Sequence, residues 1–452
     1  MERKYLKWYH KIGYGSGDVA GNVVYAFLSS FVMFYLTDSV GMSMGVVGTL
    51  MAVSKIFDGV SDFFFGNLID RTNTKMGKAR PWMLYGYIGC ALALVATFCV
   101  PISWGDAAKY TYFFITYTLL NAVFFTANNI AYASLTALIT KNTGERVQLG
   151  SIRFIFAFAT SMLIQYITVD AVSFFGGGTT GWKYVAILYA IIGLIVNTIS
   201  CLSVKEIKES DANDDKEEQS VSKMSFWKSV KLLISNKYYV IICFTYLFTQ
   251  LYTTMISMGI YYMKYILGNE DYFGTFSLYI NIPLIIGLIV APAIISRIGG
   301  MYKINVISYA VATVGRGLVL VAAYMGSVPL MMLFTAVAAL GTSPLQGDLN
   351  ALIASCSEYT TLKTGKKIDG MMYSCSSLGI KIGGGIGTAV CGWLLDAAGY
   401  IENAAMQSAS CISMLNFLYL WAPLLLCAVV PDLLCFLKVE KANKQLQEQK
   451  NL

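Results

Sequence analysis

One histidine in 452 residues, His10, removes most of the chemistry that imidazole supports. It lies in the basic N-terminal stretch Glu2 to Lys11, so no Ser–His–Asp triad, imidazole proton relay or multi-histidine zinc site can form in the apolar part of the chain. Charge is scarce as well, at 13% of residues against 56% hydrophobic, which excludes an ordinary soluble surface. Only 8 prolines stand beside 40 glycines, 25 Phe and 30 Tyr, which excludes a collagen-like or disordered polymer. The ten cysteines, Cys90, Cys99, Cys243, Cys391 and Cys427 among them, are scattered singly with no CxxC pair. They read as small core residues, not as a disulfide or metal framework. What remains is an all-α membrane protein that crosses the bilayer many times.

A hydrocarbon core of about 30 Å takes roughly 20 apolar residues per helix. Runs of that kind predict twelve transmembrane helices, at 12–37, 43–69, 81–102, 108–139, 147–175, 181–203, 237–266, 272–295, 303–325, 328–355, 370–397 and 411–437. The first run is too long for a cleavable signal and carries Asp18 and Asn22, so it is expected to stay as a span. Basic residues sort strongly. With the N-terminus inside, the outer loops keep only Lys109, Lys183 and Lys264, and the spans only Lys55, Arg316 and Lys381. Both termini are therefore expected in the cytoplasm, and the net charge of +7 needs no nucleic-acid partner.

The long hydrophilic stretch, with the run EIKESDANDDKEEQS, reads as a charged cytoplasmic linker over 205–236. It separates a six-helix bundle at 1–204 from a second at 237–438, with a cytoplasmic tail at 439–452. Two such halves are the layout of carriers built from repeats, which hold solute near mid-membrane. The loops GNLIDRTNTKMGKAR (66–80) and ISRIGGMYKIN (295–305), both basic and glycine-bearing, are a faint internal echo of that repeat.

Polar residues inside spans are costly and patterned here. Lys55, Asp58 and Asp62 share one face of span two, with Ser61 beside them. Two carboxylates a turn apart in low dielectric require a proton, a basic neighbour or a bound cation. Lys55 can compensate one, as a structural ion pair with Asp58. The second, with hydroxyl oxygens around it, has the composition that a hard monovalent cation uses. Further stripes run along span one (Asp18, Asn22, Tyr25, Ser29), span four (Thr126, Asn129, Ala133, Thr136) and span eleven (Ser374, Ser377, Lys381, then Gly383 to Gly385). Each alone could be interhelical hydrogen bonding; together they favour a central hydrophilic cavity. Arg316 is expected to snorkel or serve a site, and Asp348 to lie near a cytoplasmic end.

The segment YGSGDVAGNVVYAFLSSFVMFYLTDSVGMSMGVVGTLMAVSKIFDGVSDFFFGNLIDRTNTKMGKARPW (14–82) resembles the glycoside–pentoside–hexuronide:cation symporters, the melibiose-carrier branch of the major facilitator superfamily. ERVQLGSIR (145–153), EYTTLKTGKKIDGMMYS (358–374) and Lys381 extend the resemblance over both halves. It implies the two-bundle fold and cation-coupled sugar uptake. It also implies a cation site at Asp58 and Asp62 with Ser61 and Thr126, and a sugar path at Asn22, Tyr25, Asn129, Arg153 and Lys381. The chain departs from the family pattern at Asn22 and Asn129, where the melibiose carrier has aspartates, at Ala133, at Phe63 after Asp62, and at Ser355 and Glu358.

The expected function is a multi-pass cell-membrane carrier of the bacterial inner-membrane type, not an enzyme. Its partners are a sugar, the bilayer and a coupling cation (Na⁺, Li⁺ or H⁺), and it needs no cofactor. The charge balance left by Asn22 and Asn129 is compatible with a uronide or another glycoside. A carrier of a non-sugar or amphiphilic solute on the same fold is the alternative, and a channel or receptor a more distant one.

Overall fold

A computed structural model describes residues 5–140, 142–207, 226–298, 300–365 and 369–450. Among the described residues the chain is helical throughout, with no strand and a single isolated bridge, Thr74 to Gly77. The run 208–225, most of the expected charged linker, lies outside the described residues, as do Lys366 and Lys367 and the side chains of Asn350, Ser374 and Ser377.

The first eight helices are α1 (Trp8–Gly15), α2 (Gly17–Phe34), α3 (Met44–Asp70), α4 (Arg80–Thr97), α5 (Asp106–Thr118), α6 (Thr126–Ile139), α7 (Thr143–Phe174) and α8 (Gly178–Ser203). There follow α9 (Phe226–Ser235), α10 (Lys237–Ser257), α11 (Gly259–Tyr265), α12 (Tyr272–Ile298), α13 (Met301–Tyr324), α14 (Val328–Thr364), α15 (Asp369–Ala397), α16 (Ala409–Asn416), α17 (Ala422–Cys435) and α18 (Val439–Lys450). Wider π-helical turns extend α2 over Tyr35–Ser39, join α5 to α6 over Leu119–Phe125, and join α16 to α17 over Phe417–Trp421. Among the described residues, ten helical stretches are long and apolar enough to cross a membrane. The stretches expected at 81–102 and 370–397 are helices too, α4 and α15, but are not among those ten.

The chain folds as two units. The first takes 1–215 together with 260–275 and 388–414; the second takes 216–259, 276–387 and 415–452. In the first, glycines set how closely helices approach. A Cβ at Gly193 of α8 would sit 1.9 Å from the Tyr87 hydroxyl, so glycine there lets Tyr87 of α4 reach across to the Ala20 carbonyl of α2 at 2.8 Å. At one end of this unit Tyr14, Ile69, Met83, Tyr132, Leu135, Leu149 and Cys201 form a buried cluster. At the other, Phe27 stacks on Phe98 with ring centroids 4.3 Å apart, and Trp182 lies alongside. In the second unit, Gly315 of α13 and Gly341 of α14 each meet the partner helix's backbone: added Cβ atoms would lie 2.7 Å from Ala338 N and 2.5 Å from Ala312 N. This is the small-residue contact that brings membrane helices together where lipid gives no hydrophobic drive.

The internal echo in the sequence has a structural counterpart. A helix start leaves backbone N–H groups without partners and favours negative charge. In the first unit Glu206, just past α8, accepts from the N–H groups of Lys78, Ala79 and Arg80 at 2.7, 3.0 and 3.0 Å, where α4 begins. In the second, Glu440, just past α17, accepts from Met301 and Tyr302 at 3.1 and 3.2 Å, where α13 begins. A glycine with positive φ precedes each capped helix: Gly77 at 114° and Gly300 at 153°. The same kind of carboxylate cap thus serves the start of α4 in the first unit and of α13 in the second.

Glu145, at the start of α7 before its apolar span, ties down the N-terminal segment by accepting from Tyr5 and Leu6 N–H groups at 3.2 and 3.1 Å. Burial pushes its carboxyl up, but the Thr140 hydroxyl, those two N–H groups and Lys11 together hold it below the usual carboxylate range.

Candidate functional site

Helix α3 places the span-two residues as the spacing requires. Asp58 is buried, 5% exposed. Its Oδ1 accepts from the Thr126 hydroxyl at 2.6 Å, and its Oδ2 lies 3.9 Å from Lys55 Nζ. Ser61 donates to the Asp58 backbone carbonyl at 2.8 Å, so its oxygen lone pairs stay available. Asp62 is half-buried one turn further along the same face. Thr126 is where the π-helical turn Leu119–Phe125 ends, and its hydroxyl is also 2.8 Å from the Asn121 carbonyl inside that turn. A π turn inside an α-helix often marks a functional site; here it ends at an α6 side chain that bonds the Asp58 carboxylate of α3.

The stripe on α6 splits into two roles. Thr126 is buried, while Asn129 and Ala133, one and two turns on, are exposed. Asn128, next to Asn129, is a structural amide that donates to Met83 O and Asn197 Oδ1. Thr136 pairs with the Tyr14 hydroxyl at 2.6 Å.

On α2, Asn22 donates to the Asp18 carbonyl at 2.9 Å and accepts from Ser161 of α7 at 3.2 Å, and Tyr25 is 48% exposed. Arg153 of α7 is held by Asp18: its Nε donates to Oδ2 at 2.7 Å. The same oxygen accepts from the Tyr132 hydroxyl at 3.0 Å, and the guanidinium carbon lies 4.2 Å above the Tyr132 ring. Asp18 stands in the span-one stripe and Arg153 in the sugar path that the family resemblance implies, but their pairing is not legible in either, because they are 135 residues apart.

Lys381 is half-buried on α15, in the second unit. Along that helix Gly383 and Gly384 lie against Gln250, and Gly387 against Thr254, so the glycine run serves close contact with α10. Arg316 does not snorkel: it is 2% exposed and donates from Nε and Nη2 to the Tyr252 hydroxyl at 3.0 and 2.6 Å. Asp348, also buried, accepts from Asn305 at 3.3 Å.

A second charged cluster in the first unit has no counterpart in the spacing analysis. Asp38, in the π turn that ends α2, accepts from Lys264 Nζ at 2.5 Å, from the Tyr265 hydroxyl at 2.7 Å and from the Tyr400 hydroxyl. Thr37 beside it pairs with Tyr261 at 3.0 Å. Close by, an added Cβ at Gly48 would sit 3.0 Å from Thr388 O and one at Gly392 2.7 Å from Met44 O, so the end of α15 lies backbone to backbone on the start of α3.

The family model for MFS/sugar transport proteins matches residues 13–441. The isoprimeverose transporter of Lactiplantibacillus pentosus is 29% identical over 451 residues, covering 99% of this chain and 92% of that protein. A putative glycoside/cation symporter of Escherichia coli strain K12 is 28% identical over 442 residues, covering 96% of this chain and 92% of its own. Among solved structures, a D-xylose–proton symporter superposes with a TM-score of 0.62 at 13% identity, covering 95% of both chains, which shows a shared fold.

Proposed function

The chain belongs to the MFS/sugar transport protein family, and on that premise we propose that it couples a monovalent cation to the uptake of a sugar by alternating access. It is a multi-pass membrane carrier whose proposed frame is twelve spans in two six-helix bundles, with both termini cytoplasmic. The relatives that are symporters or sugar transporters support this reading. The observation that carries it is the 2.6 Å bond from Thr126 to Asp58. It joins the carboxylate face of α3 to α6, the helix that exposes Asn129 three residues later.

Lys55, Asp58 and Asp62 together carry excess negative charge in a low-dielectric span, which a cation or a proton neutralises. The carboxylates, with Ser61 and Thr126 oxygens, form the hard-oxygen set that takes the coupling ion, itself a co-substrate. Neutralising that face fixes α3 against α6 and thereby orients Asn129. Asn22, Tyr25, Asn129, Arg153 and Lys381 are the proposed sugar contacts. An exposed amide in a membrane-spanning helix fits a watered cavity better than lipid. Asn22 and Asn129 both donate and accept, as recognition of sugar hydroxyls requires.

Purified protein in proteoliposomes, given an inward Na⁺ gradient or a pH gradient, is expected to accumulate at least one radiolabelled glycoside or pentoside above equilibrium. Accumulation must collapse when the gradient is dissipated. Uptake of no sugar under either gradient, with transport of a lysolipid instead, would contradict the assignment.

A further inference from the structure

The charge of solute that the first unit takes turns on the Asp18–Arg153 pair. Resting on the proposed function, we infer that Asp18 is a specificity-determining residue: by neutralising Arg153 it makes the site select neutral glycosides and reject hexuronides.

Arg153 of α7 reaches the Asn22 stripe at Asp18, and a guanidinium in a cavity of low dielectric is an obvious partner for a sugar carboxylate. Here it is already engaged. Its Nε reaches Asp18 Oδ2 at 2.7 Å, and the two side chains are only 23% and 16% exposed. Three features hold the pair in place. Tyr132 donates to the same carboxylate oxygen at 3.0 Å and presents its ring to the guanidinium at 4.2 Å. The Tyr132 hydroxyl oxygen also lies 2.9 Å from the Tyr14 carbonyl, and the Tyr14 hydroxyl donates to the Tyr132 carbonyl at 2.7 Å, so α1 and α6 are tied together behind it. Asn22, one turn along α2, donates to the Asp18 carbonyl at 2.9 Å.

The charge balance follows from these contacts. Asp18 and Arg153 cancel at 2.7 Å, so the guanidinium presents no net positive charge to a solute. A neutral sugar therefore leaves this pair undisturbed, whereas a uronate meets the Asp18 carboxylate beside a cation that is already engaged. Losing aspartates at positions 22 and 129 does not turn this unit's site positive, because Asp18 supplies the counter-charge one turn away from Asn22.

Competition with uptake of a labelled neutral glycoside tests this in proteoliposomes, using p-nitrophenyl β-D-glucoside and p-nitrophenyl β-D-glucuronide as paired inhibitors. In the native protein the glucoside is expected to inhibit at a concentration at least about tenfold below that of the glucuronide, a factor that corresponds to 1.4 kcal/mol. Asp18→Asn leaves Arg153 uncompensated and is expected to reverse or erase that ratio. Asp18→Glu is expected to keep the native preference, and adding Arg153→Gln to Asp18→Asn is expected to remove the gained glucuronide inhibition. The ratio within one preparation is independent of how much protein folds, so a merely structural role for Asp18 would leave it unmoved.

Equal or stronger glucuronide inhibition of the native protein would overturn the proposal, as would an unchanged ratio in Asp18→Asn. Should Asp18→Asn carry no solute at all, the native ratio together with that of Asp18→Glu decides. If the native protein accumulates no glycoside under any ion gradient, the transport assignment fails instead, a result distinct from sugar uptake with the wrong charge preference.

Discussion

Asp58→Asn is expected to abolish accumulation of sugar against its gradient, and Asp62→Asn to do the same, while downhill exchange of sugar persists at a reduced rate. The argument rests on charge. Asp58 is 5% exposed and is met by a hydroxyl at 2.6 Å and an ammonium at 3.9 Å. Amide in place of carboxylate keeps the shape and the bond from Thr126 but removes the charge that draws the ion into a medium where it would otherwise lose its hydration. Binding of sugar then no longer costs or gains anything from the ion gradient, so the gradient cannot drive it. Thr126→Ala separates the two roles of that face. Loss of one hydrogen bond to a charged group is worth about 1.5–3 kcal/mol, so apparent ion affinity should fall by about 10- to 100-fold with coupling retained. Initial rates against Na⁺ or proton concentration, for the native protein and the three variants, read both outcomes. Unchanged gradient-driven accumulation in Asp58→Asn and Asp62→Asn would remove the cation site from α3.

The second large effect concerns stability. Asp38→Ala strips the acceptor from Lys264, Tyr265 and Tyr400 at once. Asp38 is 2% exposed at its side chain and Lys264 25%, so the ammonium is left largely desolvated. Breaking a buried pair from one side costs about 3–5 kcal/mol, whereas replacing both partners by apolar groups is often near neutral. Thermal unfolding in detergent should therefore show a lower Tm for Asp38→Ala than for Asp38→Leu combined with Lys264→Met. A double variant no more stable than the single one would show that the phenols, not the ion pair, hold this cluster.

Period and hydropathy made the helices legible, along with the face shared by Lys55, Asp58 and Asp62, because both depend only on local geometry: 3.6 residues per turn and a bilayer of known thickness. They also exposed the echo between the 66–80 and 295–305 loops, whose physical content is the pair of carboxylate caps at Glu206 and Glu440. Contacts between distant helices carry no such local signal. Asp38 meets Lys264 across 226 residues and Tyr400 across 362, and Asp18 meets Arg153 across 135. A helical stripe tells which face a side chain is on, not which helix will lie against it. The π turns were illegible for a related reason, since the Leu119–Phe125 stretch is as apolar as any α-helical segment around it. Helix α9 lies within the stretch 205–236 read as linker, because ten residues with Trp227, Lys228 and Lys231 are too short and too basic to register as a span. Arg316 shows the limit of depth arguments: a place in the outer part of its span suggests snorkelling, but Tyr252 supplies a partner inside the bundle.

The central claim is that ion and sugar share one coupled site reached through Asp58 and Thr126, and linkage makes it measurable at equilibrium. Sugar binding to detergent-purified protein, titrated with and without saturating coupling ion, is paired with ion binding titrated with and without saturating sugar. The account predicts that each ligand strengthens the other by the same factor, about 5- to 150-fold, and that Asp58→Asn brings both factors to unity. Sugar affinity indifferent to the ion in the native protein would contradict it.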